Sequence, residues 1–385
     1  MYRVVGWTRP KVITVDVSAA VHSRAGLGRY SERLALALHE ASPGQIALFH
    51  NQGADGQLPT SLHNLPRRSV RMGYKPWRSM VLLGHLFSLG FNRVVPDARL
   101  FHSTEHLLLP LRNVPTVLTV HDLIYKLYPE YHKRLNYWYL NLAMPLFCRR
   151  ASAIIAVSEA TRQDIVQYYG VDAANIYVVH EAAAEHFRPP QPQEVARVRQ
   201  TYKLPERFLI HLSTVEPRKN LQRLLDTLQQ LRLRRPGLKL VLAGSKGWLF
   251  EKLFARIHEE GLQDVVISLG WVPDADLPAV IGAAALAVQP SLYEGFGLPI
   301  LEHMACGQVV AASKIGSHLE IGGDAAAYFD PQDSGEMATV IERLLDDEEE
   351  VQRRRQAGLQ QAAKFSWQRA ARETLGVYER LLAGH

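Results

Sequence analysis

Short apolar runs rich in β-branched residues recur along this chain, and helical patterns separate most of them. KVITVDV (11–17), QIALFH (45–50), ARLFHS (98–103), TVLTVHD (116–122) and SAIIAVS (152–158) read as buried strands in the first half. FLIHLS (208–213), LKLVLAG (238–244), VVISLG (265–270), ALAVQP (285–290) and QVVAAS (308–313) read the same way in the second. Between them lie stretches such as LGRYSERLALALHEA, where Leu27, Tyr30, Leu34, Leu38 and Ala41 share one helical face. A strand–helix alternation of this kind specifies an α/β chain with parallel sheets covered on both faces. It is interrupted once. The stretch AAAEHFRPPQPQE (182–194) holds three prolines and few apolar residues, and reads as a linker between two doubly wound domains, 1–185 and 186–365. A last helix, 366–385, carries Trp367, Ala371, Leu375, Tyr378 and Leu382 on one face.

Bulk properties agree with two domains. The 385 residues exceed one typical core. Cys148 and Cys306 match no metal spacing and are expected as buried thiols in a reducing compartment. The start of the chain has no signal-peptide pattern, and no apolar run reaches the ~18 residues of a spanning helix, so a cytoplasmic protein is expected. Charge is uneven: residues 1–188 hold 21 Lys and Arg against 13 Asp and Glu, while the rest hold 23 against 25. A basic first half suits an anionic partner. No helix-turn-helix, zinc-finger or RNP signature is present, which argues against nucleic acid. The acidic run DDEEE (346–350) reads as a solvated helix junction.

Ligands of open α/β sheets bind beyond the carboxyl ends of strands, so chemistry is sought in the turns after strands. The richest such turn is QPSLYEGFGLPILEHMACG (289–307). Pro299 suits a helix start and Gly307 a helix end. Glu294 then lies on the loop and Glu302 in the helix's first turn, where the dipole favours an acid. Gly295 and Gly297 let backbone approach a ligand, and the free N–H groups of the helix start form an anion site. A second turn, STVEPRKNLQRLL (213–225), places Arg218 and Lys219 side by side. Two cations there can neutralise a diphosphate leaving group. Asn220 is expected to cap the helix that follows. A third, SRAGLGRY (23–30), reads as a tight glycine turn through Gly26 and Gly28, with Arg29, opening a helix. A fourth, LTVHDLIY (118–125), ends a buried strand with His121 and Asp122, whose side chains are expected to face a cleft. Ser158, ending SAIIAVS, is a weaker cleft candidate.

PSLYEGFGLPILE, with its Glu-x7-Glu form (Glu294, Glu302), resembles the large retaining family 4 of GT-B glycosyltransferases. The resemblance implies two Rossmann-like domains, the first holding the acceptor and the second the nucleotide sugar, with the final helix packing back on the first. It implies that Glu302 grips the donor ribose, that Glu294 faces the donor sugar, and that the N–H groups of Phe296, Gly297 and Leu298 touch sugar and phosphate. Arg218 and Lys219 match the family's diphosphate cations, and His121 with Asp122 its His-Asp pair beside the donor sugar. Trp271 and Val272 are placed near the nucleobase, and Gly28 near the donor phosphate or acceptor. The form GLGRY looks most like members that transfer mannose from GDP-mannose; UDP-glucose or UDP-N-acetylglucosamine are the alternative donors. Outside this class, a non-catalytic sugar-nucleotide binder would share the fold, whereas a dinucleotide oxidoreductase would need a third glycine that SRAGLGRY lacks.

No cofactor and no metal are expected. Asp274 and Asp276 imitate a metal-binding Asp-x-Asp, but they precede LPAVIGAA and read as helix-start acids. Retention leaves two routes open: double displacement with Glu294 as nucleophile, or a front-face route in which the departing phosphate takes the acceptor's proton. On the acceptor side, residues 67–93 mix arginines and a lysine with Trp77, Leu82, Leu83, Leu86 and Phe87, and residues 132–150 are also basic and aromatic. That mixture suits a helix on an anionic membrane or a polyprenyl-linked glycan acceptor, and equally suits helices packed on the sheet with solvated basic ends.

Overall fold

The computed structural model describes residues 12–22, 25–53, 56–131 and 134–384; Lys11, Ser23, Arg24, His132 and Lys133, which the segments above include, lie outside them. The chain forms two compact units. One takes the described residues of 1–126, 133–181 and 367–385, and the other those of 127–132 and 182–366.

The first unit is built on β1 (Val12–Asp16), β2 (Ile46–Asn51), β3 (Arg67–Val70), β4 (Ala98–Ser103), β5 (Thr116–Val120), β6 (Ala153–Ala156) and β7 (Ile176–Val178). The second is built on β8 (Phe208–Leu212), β9 (Lys239–Ala243), β10 (Val266–Gly270), β11 (Leu286–Gln289), β12 (Val310–Ser313) and β13 (Ala327–Phe329). The pairings are parallel, in the orders β3-β2-β1-β4-β5-β6-β7 and β10-β9-β8-β11-β12-β13. Both orders reverse direction once, between β1 and β4 and between β8 and β11. These two reversals are where an open parallel sheet leaves a crevice at its strand ends.

Helices bury both faces of each sheet. Leu209, Leu240, Leu242 and Val288 pack on one side of the second sheet with Leu224, Leu228 and Leu231 of the helix Leu221–Arg234. Their neighbours Ile210, Val241 and Ala287 point to the other side, against Ile281 and Ile300. Successive strand residues alternate between faces, so each run must be apolar throughout, which is the pattern the sequence displays. The closing helix, Trp367–Ala383, belongs to the first unit. Tyr378 there bonds His102 of β4 at 2.6 Å, and Trp367 sets its edge on Tyr30 with ring centres 5.8 Å apart.

The stretch 182–194 begins at the division between the units and is ordered: Phe187 sits in the second unit's core, and Pro192 opens the helix Pro192–Thr201, whose Glu194 accepts from the Gln191 N–H at 2.7 Å. Two expectations need correction. Arg67 to Val70 form an edge strand, β3, which a run with Val70 as its only apolar residue did not advertise. Gly26 and Gly28 form no tight turn. They lie inside the helix Ala25–Ala41, and a Cβ on Gly28 would come 3.1 Å from the carbonyl oxygen of Ala19. Gly28 serves close backbone packing instead.

Candidate active site

The two turns at the β8/β11 reversal meet. After β8 the chain makes a short turn, Pro217–Lys219, and enters the helix Leu221–Arg234 through Asn220 in the left-handed region, φ 57°. After β11 it runs through Pro290 to Gly297 and enters the helix Leu298–Ala305. The Leu292 N–H donates to the Arg218 carbonyl at 2.9 Å and stitches the turns together. Gly297, at φ 102°, holds the helix-entry position, and a Cβ there would press on the His318 ring at 3.1 Å. The first N–H groups of this helix lie beyond the intrahelical ladder.

Glu294 is the hub. One carboxylate oxygen pairs with Lys219 Nζ and accepts from Ser291 Oγ at 2.8 Å, while the other pairs with the Arg218 guanidinium. Arg218 Nε also pairs with Glu216. Ser317 Oγ donates to the Glu294 carbonyl at 2.7 Å. Burial by itself would raise the Glu294 carboxyl, but Arg218 and Lys219 beside it reverse that and hold it far below the usual range. Burial, reinforced by Arg218, pulls the Lys219 ammonium below its ordinary value, against the opposing pull of Glu294 and Glu216. His318 is buried and pushed down to about 4, so it is a neutral ring at pH 7; its Nδ1–H donates to the Ser313 carbonyl at 3.2 Å.

Other second-unit candidates fall differently. Glu302 lies beyond the first turn, because Leu298 and Pro299 open the helix; its side chain is buried. Phe296 is buried and packs edge-on against Phe365. Val272 is a core residue, so only its backbone could meet a base, while the neighbouring Trp271 is exposed. Asn220 does not cap with its side chain, which donates to the Pro331 carbonyl at 2.7 Å. Asp276 sits at a helix entry as expected but makes no capping bond, pairing instead with Arg197 and accepting the Tyr202 hydroxyl. Among the described residues no group of three His, Cys, Asp or Glu side chains is arranged to hold a metal.

In the first unit, His121 follows β5 and is enclosed. Its Nδ1 donates to Glu181 at 3.0 Å, and its Nε2 meets the Thr104 carbonyl at 2.9 Å. Thr104 follows β4, and its hydroxyl donates to the Asp16 carbonyl at the end of β1, 2.6 Å away. Tyr30 stands edge-on to the imidazole at 4.6 Å. Asp122 accepts the Ile124 N–H at 3.1 Å and shapes the turn. Arg29 is half-exposed on the helix Ala25–Ala41. Ser158 is fully buried and caps the helix Glu159–Tyr169 by accepting the Thr161 N–H at 3.0 Å, a structural duty. Sequence reading missed Glu216, Ser291, His318, Thr104 and Glu181. Only Glu216 and Ser291 gave a signal, through closeness to the singled-out residues.

Family models match both halves: one described as Glycosyltransferase Family 4 over residues 24–183, one as Glycosyl transferases group 1 over residues 193–361. The O-antigen chain mannosyltransferase B of Escherichia coli is 32% identical over 92% of this chain and 96% of its own length. The serotype-specific mannosyltransferase WbdA of Escherichia coli is 32% identical over 71% of this chain, which spans 35% of that longer relative. Among solved structures, Anabaena HepE in complex with UDP and glucose superposes with a TM-score of 0.74 at 21% identity, covering 96% of this chain and 100% of that one. The sucrose-phosphate synthase of Thermosynechococcus elongatus reaches 0.77 at 20% identity, covering 97% and 100%.

Proposed function

Because this chain belongs to the group 1, family 4 glycosyltransferases and has their GT-B fold, we propose that it moves mannose from GDP-mannose to a growing glycan, with retention and without a metal. The second unit would take the donor and the first the acceptor. One observation carries this reading: Arg218 and Lys219 converge on a single carboxylate beside the start of the helix Leu298–Ala305. The oxygens of a donor diphosphate compete with Glu294 for those N–H groups. As the bond to the sugar breaks, negative charge grows on that diphosphate, and fixed cations with helix-start amides stabilise it as a metal would. Glu294 itself is a firmly held anion, hence a weak base and nucleophile. Its geometry favours the front-face route, with Glu294 orienting the cations and the sugar. The mannose choice rests on the mannosyltransferase relatives.

The acceptor would be glycan-like, in keeping with the O-antigen relative, and lipid-linked. Leu83, Leu86 and Phe87 at one helix end, and Leu135 and Trp138 on the helix Arg134–Arg150, are solvent-exposed, with Phe87 and Trp138 each 69% accessible. Exposed apolar groups with arginines nearby suit peripheral contact with an anionic membrane, and no helix among the described residues is long and apolar enough to cross one.

The decisive experiment is a donor panel read by released nucleoside diphosphate, with mass spectrometry of the product. GDP release from GDP-mannose, unchanged by EDTA, is expected. Turnover on UDP-sugars alone would overturn the donor, and loss in EDTA restored by Mg²⁺ would overturn metal independence. Sedimentation with anionic but not neutral vesicles is expected; equal recovery from both would remove the membrane contact.

A further inference from the structure

Two enclosed imidazoles of the first unit, His102 on β4 and His121 just past the end of β5, have partners that differ in kind. His102 faces two hydroxyls, Tyr378 at its Nδ1 and Thr119 at 2.8 Å from its Nε2. A hydroxyl can donate or accept, so a neutral ring is satisfied on both sides. His121 faces two groups that only accept, the Glu181 carboxylate and the Thr104 carbonyl. A neutral imidazole carries one N–H and would leave one of these acceptors opposite a lone pair. The imidazolium carries two and satisfies both.

We infer that Glu181 is a positioning residue that holds His121 as a doubly hydrogen-bonded cation, so that His121 serves the transfer as a fixed buried charge and neither gives nor takes a proton. This rests on the glycosyl-transfer reading above and adds a residue that neither the motifs nor the resemblance singled out. Enclosure supports it: the side chains of His121 and Glu181 are 12% and 5% accessible, and Tyr30 covers the ring from the helix Ala25–Ala41. Tyr30 is itself fixed, its hydroxyl 3.1 Å from Thr119 and its ring against Trp367.

The charged groups around His121 agree. Burial alone would lower its basicity, yet the hydrogen bond and charge of Glu181, the Thr104 carbonyl and the charge of Asp122 together raise it above the ordinary histidine value. His102, facing the same interior with no anion bonded to it, is pushed down to about 3 by burial and by His121. Tyr30, whose ring packs edge-on against the imidazole, is pushed far up by burial and stays neutral through the physiological range.

The test uses the full chain and Glu181→Gln, whose amide oxygen can still accept from Nδ1 while the charge is gone. Nitrogen-15 spectra of the histidine rings should show two ring protons on His121 at pH 7 and one on His102. In Glu181→Gln the His121 midpoint should fall by about one unit or more. The alkaline limb of kcat should move with it, so that turnover drops roughly tenfold at pH 8 and much less at pH 6. Glu181→Asp should restore part of the shift. A wild-type His121 with one ring proton at pH 6 overturns the inference. So does a Glu181→Gln variant that loses activity equally at every pH with the His121 midpoint unmoved, since that marks a merely structural role. An unaltered His102 spectrum reports that the variant is folded. Failure of the transfer reading would show separately, as absent nucleoside diphosphate release in the wild-type protein.

Discussion

The two charged clusters solve opposite problems. In the second unit, Lys219 and Arg218 share one carboxylate, Glu294, on turns that flank the sheet reversal. In the first unit, His121 spends both ring nitrogens on Glu181 and Thr104. Under the proposed function the first arrangement would be open to rewiring, because an arriving anion would meet two cations that share one carboxylate. The second is more closed, because each ring nitrogen has one partner and the His121 side chain is only 12% accessible. A buried charge is costly unless it is paired and hydrogen-bonded. Whether it can act on a ligand depends on how replaceable its partners are.

That contrast can be broken or sharpened experimentally. The largest effect should follow Lys219→Ala, which removes a cation from the rewirable cluster: turnover should fall about 10²–10³-fold. Loss of less than threefold in steady-state nucleoside diphosphate release would show that the cluster is only structural. Glu302→Ala should act mainly on binding, raising the donor KM about tenfold with little change in kcat; an equal fall in kcat and kcat/KM would place Glu302 in the transition state instead. The smallest effect belongs to Gly297→Ala. A side chain at φ 102° against His318 should cost about 1–3 kcal/mol in urea denaturation, and no loss would mean that the helix entry relaxes freely.

Much of the fold was legible because its signals are local. A strand buried on both faces must be apolar at every position, and a covering helix must repeat at 3.6 residues, so Ile210 with Val241, and Leu224 with Leu228, declare themselves. Edge strands escaped for the same reason: Arg67 to Val70 lie at the rim of the sheet and carry little apolar pattern. At the site, glycine, proline and paired charges marked the turns 213–220 and 289–307, and the structure brings these together at one reversal. A serine at a strand end is also a good helix cap, and capping is the role in which the structure shows Ser158. Gly28 misled because close helix packing and a tight turn favour the same residue.

The sequence by itself determined the two α/β series, the closing amphipathic helix and the turns that bear charge, since each depends on residues a few positions apart. Only the tertiary structure decided which charges answer one another. Glu294 meets Lys219 across 75 positions, and His121 meets Glu181 across 60. Charge attraction acts through space and leaves no periodicity along the chain, so the partner that fixes a protonation state becomes visible only when the strands are laid side by side.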